Sequence, residues 1–350
     1  MSAMLRVRDL VKHFPVRQGL FGRSTSTVRA VDGVSFELAP GKTFAIVGES
    51  GCGKSTVARL LLRLIEPTAG QLELDGHDLM AADASAMRRL RGLIQLIFQD
   101  PYGSLNPRLT AGDMLAEPLM LHETVPAAGR TARVTELLGM VGLPADAARR
   151  YPHEFSGGQR QRLAIARALA AGPRVIVCDE PVSALDVSIQ AQILNLLADL
   201  QRQLGLSYVF ISHDLAVVRQ IATDVGVMYL GRFVETGPAS IVLAAPRHPY
   251  TRALLSAVPV PDPTRRAGEP AIGGDVPSPL APPAGCHFHT RCAHADERCR
   301  TKSPPLEAAG DGTAVACWHW RRIGPAPMSS VRPMASGNAA LARLQAAFVR

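Results

Sequence analysis

The sequence predicts an α/β domain built on a largely parallel sheet, and three observations carry that prediction. Short apolar runs rich in β-branched and aromatic residues alternate with segments whose apolar residues recur three to four apart. Several of the runs are followed closely by Gly, Gln, Asp or Ser, as buried strands are when their C-terminal ends carry function. The 350 residues, 47% hydrophobic and 19% charged, are enough for about two domains and exclude a disordered chain.

Taken in order, Gln18 to Thr27 is a polar, Gly-containing interruption between two strand-like pieces and reads as a loop. The buried strands are Thr43 to Val47, Ile94 to Phe98, Val175 to Cys178 and Tyr208 to Ile211. Helical spacing covers Ser55 to Ile65, Gly157 to Ala171 and Ile189 to Leu204, and the Ala-, Leu- and Glu-containing stretch from about Thr110 to Tyr151 predicts a helical insertion. Eight Pro and four Gly fall within the 30 residues from Ser256 to Gly285, a density that marks a linker. The region from about 286 to 330 is therefore expected to form a separate small unit, followed by a tail over 331–350.

One motif carries specific chemistry. Gly48-Glu49-Ser50-Gly51-Cys52-Gly53-Lys54-Ser55-Thr56 satisfies G-x-x-x-x-G-K-[ST] between an apolar strand and a helical segment, the context that the motif requires. Glycines let the backbone wrap closely enough for its N–H groups to face phosphate oxygens, and the following helix directs its positive end there. Lys54 is expected to reach the β- and γ-phosphates and Ser55 to bind Mg²⁺. A second element, Val175 to Cys178 followed by Asp179 and Glu180, ends a strand in two acids. There Asp179 would hold the magnesium and Glu180 would polarise the attacking water.

Between them lies Ser156-Gly157-Gly158-Gln159, opening an amphipathic helix. With it the chain resembles the ATP-binding-cassette (ABC) ATPases over roughly residues 5 to 250. Gln99 matches the glutamine at the junction to the helical subdomain, Ser183-Ala184-Leu185-Asp186 the loop after the acidic pair, and His213 the switch histidine. The resemblance implies a P-loop NTPase (RecA-like) core with an antiparallel β region and a helical subdomain at about 100–165, all within a nucleotide-binding domain of residues 1–255. It also implies catalytic roles for Glu180, His213 and Gln99, and Mg²⁺ held among Ser55, Gln99 and Asp179. Ser156 to Gln159 would face ATP bound by a second ATPase subunit, with Ser183 to Asp186 as the dimer loop. The adenine-stacking aromatic is Phe14, Phe21 or neither.

Phe98-Gln99-Asp100-Pro101-Tyr102-Gly103-Ser104-Leu105-Asn106-Pro107 and His248-Pro249-Tyr250-Thr251-Arg252-Ala253-Leu254-Leu255 resemble the junction and the C-terminal extension of oligopeptide and dipeptide importer ATPases. That branch implies a Cys-containing extension over 256–330, two membrane permease subunits as partners, an indirect solute-binding protein, and a peripheral place on the cytoplasmic face of the inner membrane. Importers of nickel and other solutes share these features, so the cargo stays open.

Cys286, Cys292, Cys299 and Cys317 follow a C-x₅-C-x₆-C-x₁₇-C spacing. Four thiols in one short segment suit a tetrahedral Zn²⁺ or an iron–sulfur cluster, with His287, His289, His294 or His319 as substitute ligands for zinc. Related importer ATPases carry a [4Fe–4S] cluster at similar cysteines, which places the cluster ahead of zinc; no bound metal is the third alternative.

The net charge of +8 permits polyanion partners, but no block of five like charges forms a nucleic-acid arm, and no nucleic acid is expected. No uncharged apolar run reaches the roughly 18 residues of a membrane span, and Met1 to Leu10 lacks a secretory layout, so a soluble, cytosolic chain is expected. A cassette acting on DNA or ribosomes is the rival reading, against which stand a single set of motifs and the absence of long heptads. A metal or redox sensor built on the cysteines is a second.

Overall fold

Residues 3–18, 24–257 and 273–325 are described by the computed structural model. Strands β1 (Leu5–Gln18) and β2 (Ser24–Leu38) form a long antiparallel pair with several bulges. They join β4 (Ala69–Leu74) and β5 (His77–Asp78) in a four-stranded sheet of order β2-β1-β4-β5. The central sheet is built from β3 (Thr43–Val47), β6 (Ile94–Ile97), β7 (Val175–Asp179), β8 (Ser207–Ser212) and β9 (Asp224–Tyr229), which run parallel. On its far side lie β10 (Arg232–Pro238), β11 (Glu307–Ala308) and β12 (Ala314–Val315), giving the order β11-β12-β10-β9-β3-β8-β7-β6.

All four predicted buried strands form, and β3, β7 and β8 are buried at every position, which is why they read as continuous apolar runs. The helices form at Lys54–Leu61, Gly157–Ala170 and Val187–Leu204. The first stops four residues before its predicted end, where Arg63 takes a left-handed φ of 46°. Helices Ala111–Leu121 and Arg130–Met140 supply the expected insertion, and with Gly157–Ala170 they bury Met114, Leu115, Leu137, Leu138, Leu163 and Ile165 in one core. A second core lies between the antiparallel sheet and the other face of the central sheet.

Two sequence readings are corrected. The loop expected from Gln18 to Thr27 is strand at both of its described ends, because Gln18 pairs with Ser24 and Val16 with Ser26, while residues 19–23 lie outside the described residues. Hairpin pairing tolerates the polar residues that mark a loop in isolation. The region after residue 285 does not stand apart. Strand β12 extends the central sheet by pairing Glu235 with Val315 and Thr236 with Ala314, and Phe288 is buried with Tyr229 and Tyr250 in a third core. Much of the expected linker, and the tail over 331–350, lie outside the described residues. Among the described residues no helix is long and apolar enough to cross a membrane.

Candidate functional site

The nine-residue Gly-Lys loop sits at the C-terminal end of β3, with strands β8 and β9 on either side. Its glycines are required by close approach. A Cβ on Gly48 would lie 2.2 Å from the Met228 carbonyl oxygen, and one on Gly53 would lie 2.1 Å from that of Ala30, at a φ of 110°. Gly53 caps helix Lys54–Leu61 without a side-chain hydrogen bond, so the first-turn amides are not capped from the N-cap side chain. Lys54 is buried, and its ammonium donates to the carbonyl oxygens of Gly48 (2.8 Å) and Glu49 (2.9 Å). The Ser55 hydroxyl donates to Asp179 Oδ1 at 3.0 Å. Burial pushes the Asp179 carboxyl above its ordinary value, and the bond from Ser55 opposes that rise. Two oxygen donors so placed fit a hard cation such as Mg²⁺.

Glu180, just past β7, has a φ of 47°, and its backbone N–H donates to Ile211 on β8. Its carboxylate receives Gln99 Nε2 at 3.2 Å and meets His213 Nδ1 at 3.0 Å, both at Oε2. Three residues from three strand ends, 81 and 33 positions apart in the chain, thus meet at one oxygen. A cavity of about 500 Å³ joins Ser50 to Thr56 with Gln99, Glu180 and His213, and Arg29, Gly231 and Pro279 also line it.

Ser156 to Gln159 do not line this cavity. Ser156 caps helix Gly157–Ala170 in a reciprocal box, its hydroxyl accepting from the Gln159 N–H and its own N–H donating to Gln159 Oε1. That end packs on the loop after the acidic pair. The Cβ position of Gly157 lies 3.6 Å from Leu185, an ordinary contact, whereas that of Gly158 lies 2.7 Å from the Ile189 side chain, which would have to shift to admit a methyl group. In the loop itself, the Ser183 hydroxyl donates to the Glu180 carbonyl. Phe14 is half-buried beneath the Lys12 ammonium and is not among the residues lining the cavity; Phe21 lies outside the described residues.

Comparisons with known proteins bear on the family and the fold. An ABC transporter family model matches residues 31–183, and one for the C-terminal region of oligopeptide/dipeptide transporters matches 234–299. The di/tripeptide transport ATP-binding protein DppF of Pseudomonas aeruginosa is 54% identical over 321 residues, 91% of this chain and 98% of that protein. The oligopeptide transport ATP-binding protein AppF of Bacillus subtilis is 50% identical, with 90% and 97% covered. The chain belongs to the ABC transporter ATPases. Among solved structures, the ATP-binding cassette MJ0796, dimeric and bound to ADP and Pi, superposes with a TM-score of 0.58 at 28% identity, covering 67% of this chain and 99% of that one. As an ABC ATPase the chain is an ATP-hydrolysing enzyme.

The extension of this ABC ATPase brings its cysteines into one neighbourhood. Cys299 is buried, Cys286, Cys292 and Cys317 are half-buried, and none is in a disulfide. Burial raises all four thiols, Cys286 to about 12 and Cys317 to about 11. The tightest donor group is not the four thiols, however, but Asp296, Cys299 and His319, whose ligating atoms lie within 4.8 Å of one another. His319 Nε2 is 3.5 Å from Cys299 Sγ and 2.9 Å from Asp296 Oδ2. Asp296 was not expected from the sequence, because cysteine spacing alone gave it no prominence.

Two contacts at the phosphate loop were also missed. The Glu49 N–H donates to the Tyr250 hydroxyl at 2.9 Å, and Arg291 grips the Glu49 carboxylate with both terminal nitrogens. The stretch around Tyr250 was legible as a family feature. Nothing in the sequence tied it, or Arg291, to a loop about two hundred residues earlier.

Proposed function

We propose that this ABC ATPase is the energy-coupling subunit of an importer for di- or oligopeptides, with MgATP binding and hydrolysis driving uptake through two separate permease subunits. The observation that carries the reading is the extension itself, folded into the central sheet and matched by the oligopeptide/dipeptide C-terminal family model. Relatives named for dipeptide and oligopeptide transport support the same cargo class. The chain would act as a peripheral protein on the cytoplasmic face of the inner membrane, paired with a second ATPase, with the solute-binding protein contacting the permeases.

At the site, Lys54 binds the β- and γ-phosphates, and Ser55 and Asp179 hold Mg²⁺, with Gln99 beside them. When bound, the cation offsets charge on the phosphate oxygens. Glu180 orients the attacking water and takes its proton, while Gln99 and His213 fix the carboxylate that does so. The Ser156 to Gln159 helix end faces nucleotide held by the partner ATPase, with Ser183 to Asp186 alongside. For the extension, we propose that Cys286, Cys292, Cys299 and Cys317 hold an iron–sulfur cluster or zinc; neighbouring thiols free of disulfides, one buried and three half-buried, support that reading, and iron, sulfide and zinc analysis of purified protein tests it.

A groove of about 770 Å³ supports the permease contact. It is lined by Leu64, Met87, Phe98 and Leu121 among others, and Phe98 directly precedes Gln99. Leu64, Phe98 and Leu121 are exposed at 50%, 41% and 58%, a cluster that an unpartnered surface rarely keeps. Substituting Leu121→Asp is expected to abolish co-purification with the permeases and peptide uptake while leaving basal ATPase activity intact. Unchanged uptake would refute the groove assignment. Uptake assays of radiolabelled dipeptides in cells lacking this gene test the cargo, and normal uptake would refute it.

A further inference from the structure

The phosphate loop of this protein is held from outside the cassette. Glu49 is the second residue of the loop, and its carboxylate accepts Arg291 Nη1 at 2.8 Å and Nη2 at 3.0 Å. The Arg291 side chain is only 5% exposed, and Glu49 is 24% exposed. Nothing about this arginine resembles a solvated surface pair. Its Nε donates to the Gly273 carbonyl at 3.3 Å, Nη1 reaches the Tyr229 hydroxyl at 3.4 Å, and the guanidinium lies 5.9 Å from the centroids of Tyr229 and Phe288. All three nitrogens of the guanidinium thereby have partners, which fixes the plane of the fork against Glu49.

Glu49 is fixed twice more. Its N–H donates to Tyr250 Oη at 2.9 Å, and its carbonyl accepts the Lys54 ammonium at 2.9 Å. A continuous chain of polar contacts therefore runs from Arg291 through Glu49 to the lysine that meets the phosphates. Tyr250 is fully buried, with its ring 4.7 Å from Tyr229 and 5.4 Å from Phe288, so the anchor behind Glu49 is rigid. The match to the ABC core ends at residue 183, and Arg291 lies inside the matched C-terminal region.

We propose that Arg291 is a positioning residue for ATP binding: from the extension it holds Glu49, and through Glu49 the phosphate loop, in the form that receives the triphosphate. The proposal rests on the reading of Gly48 to Thr56 as the nucleotide site. A contact that pre-sets the loop before nucleotide arrives, rather than one made only in the transition state, acts on affinity and not on the chemical step.

The test uses the full-length chain and compares Arg291→Lys, Arg291→Gln, Glu49→Gln and the Glu49→Gln/Arg291→Gln pair, with Lys54→Ala as reference. Affinity is read with a fluorescent non-hydrolysable ATP analogue, and KM and kcat by phosphate release. Arg291→Lys keeps the charge and loses the fork, and is expected to weaken analogue binding and raise KM about 5- to 10-fold with kcat within about 2-fold. Arg291→Gln should weaken binding further, since it leaves the Glu49 carboxylate without its partner, and the double variant should fall well short of the product of the single effects. If affinity and KM in folded Arg291→Lys and Glu49→Gln stay within 2-fold of the parent, the proposal is wrong, whatever their melting temperatures. Should Arg291→Gln fail to fold, those two milder variants decide. Lys54→Ala that still binds the analogue would overturn the nucleotide-site reading itself, independently of Arg291.

Discussion

Glu180 occupies a left-handed backbone conformation that a glutamate adopts only at a cost of about 1–3 kcal/mol. The strain is held by the bond from its N–H to Ile211 and by Ser183 donating back to its carbonyl, and it accompanies a carboxylate that meets both Gln99 and His213. Glu180→Gln keeps the shape and loses the base. It is expected to bind MgATP normally and to turn over about 10²- to 10⁴-fold more slowly, measured by phosphate release in single-turnover conditions. Gly53→Ala meets a different obstacle, because its new methyl group would lie 2.1 Å from the Ala30 carbonyl oxygen, far inside van der Waals contact. Nucleotide binding should be lost even though Lys54 and Ser55 are untouched, and a fluorescent-nucleotide titration showing normal affinity would contradict the close-approach argument. The loop and the acidic pair were legible because each is contiguous: residues adjacent in sequence do the work together. Asp296 beside Cys299 and His319 was not, since an acid three positions from a cysteine is an ordinary helix-cap pattern, and here Asp296 does also accept the Cys299 N–H.

At the scale of elements, helix Pro249–Ser256 shows how local chemistry supports the site from behind. His248 caps it, with Nδ1 accepting the Tyr250 N–H at 3.0 Å, a bond that only the neutral ring can make. Burial pushes His248 down to about 3. The unfolded chain therefore binds a proton that the folded chain refuses between about pH 6.5 and 3, so the contribution of this residue to stability is intact above that window and is lost as pH falls through it. His248→Asn is expected to lower stability at pH 7.5 and to flatten the loss between pH 6.5 and 5, read from urea midpoints at each pH; an unchanged pH slope would show that His248 does not titrate as argued. The strands and helices themselves were largely readable, because β3, β7 and β8 are buried on both faces. The ends of the β1–β2 ladder read as loop in the sequence, although polar residues such as Arg17, Gln18 and Ser24 pair across it. Composition cannot distinguish a polar hairpin from a polar loop when only pairing differs.

For the whole molecule, the extension packs onto the cassette, and the two are expected to unfold together. Phe288 is buried with Tyr229 and Tyr250, β12 completes the sheet edge at β10, and Glu235, itself buried on β10, accepts the N–H groups of Arg247 and His248. Phe288→Ala should cost about 3–5 kcal/mol and shift a single unfolding transition, followed by fluorescence and circular dichroism together. Two separated transitions, with the cassette unmoved, would mean that the extension is independent after all.

The sequence by itself determined the α/β class, the phosphate loop, the acidic pair and the family, since each is written in short contiguous runs whose residue types answer a local physical demand. Only the tertiary structure decided what lies behind the loop. The Arg291 fork on Glu49 spans 242 positions, and the meeting of Gln99, Glu180 and His213 spans more than a hundred. Such contacts depend on which strands become neighbours in the sheet, and long-range neighbours leave no periodic mark along the chain.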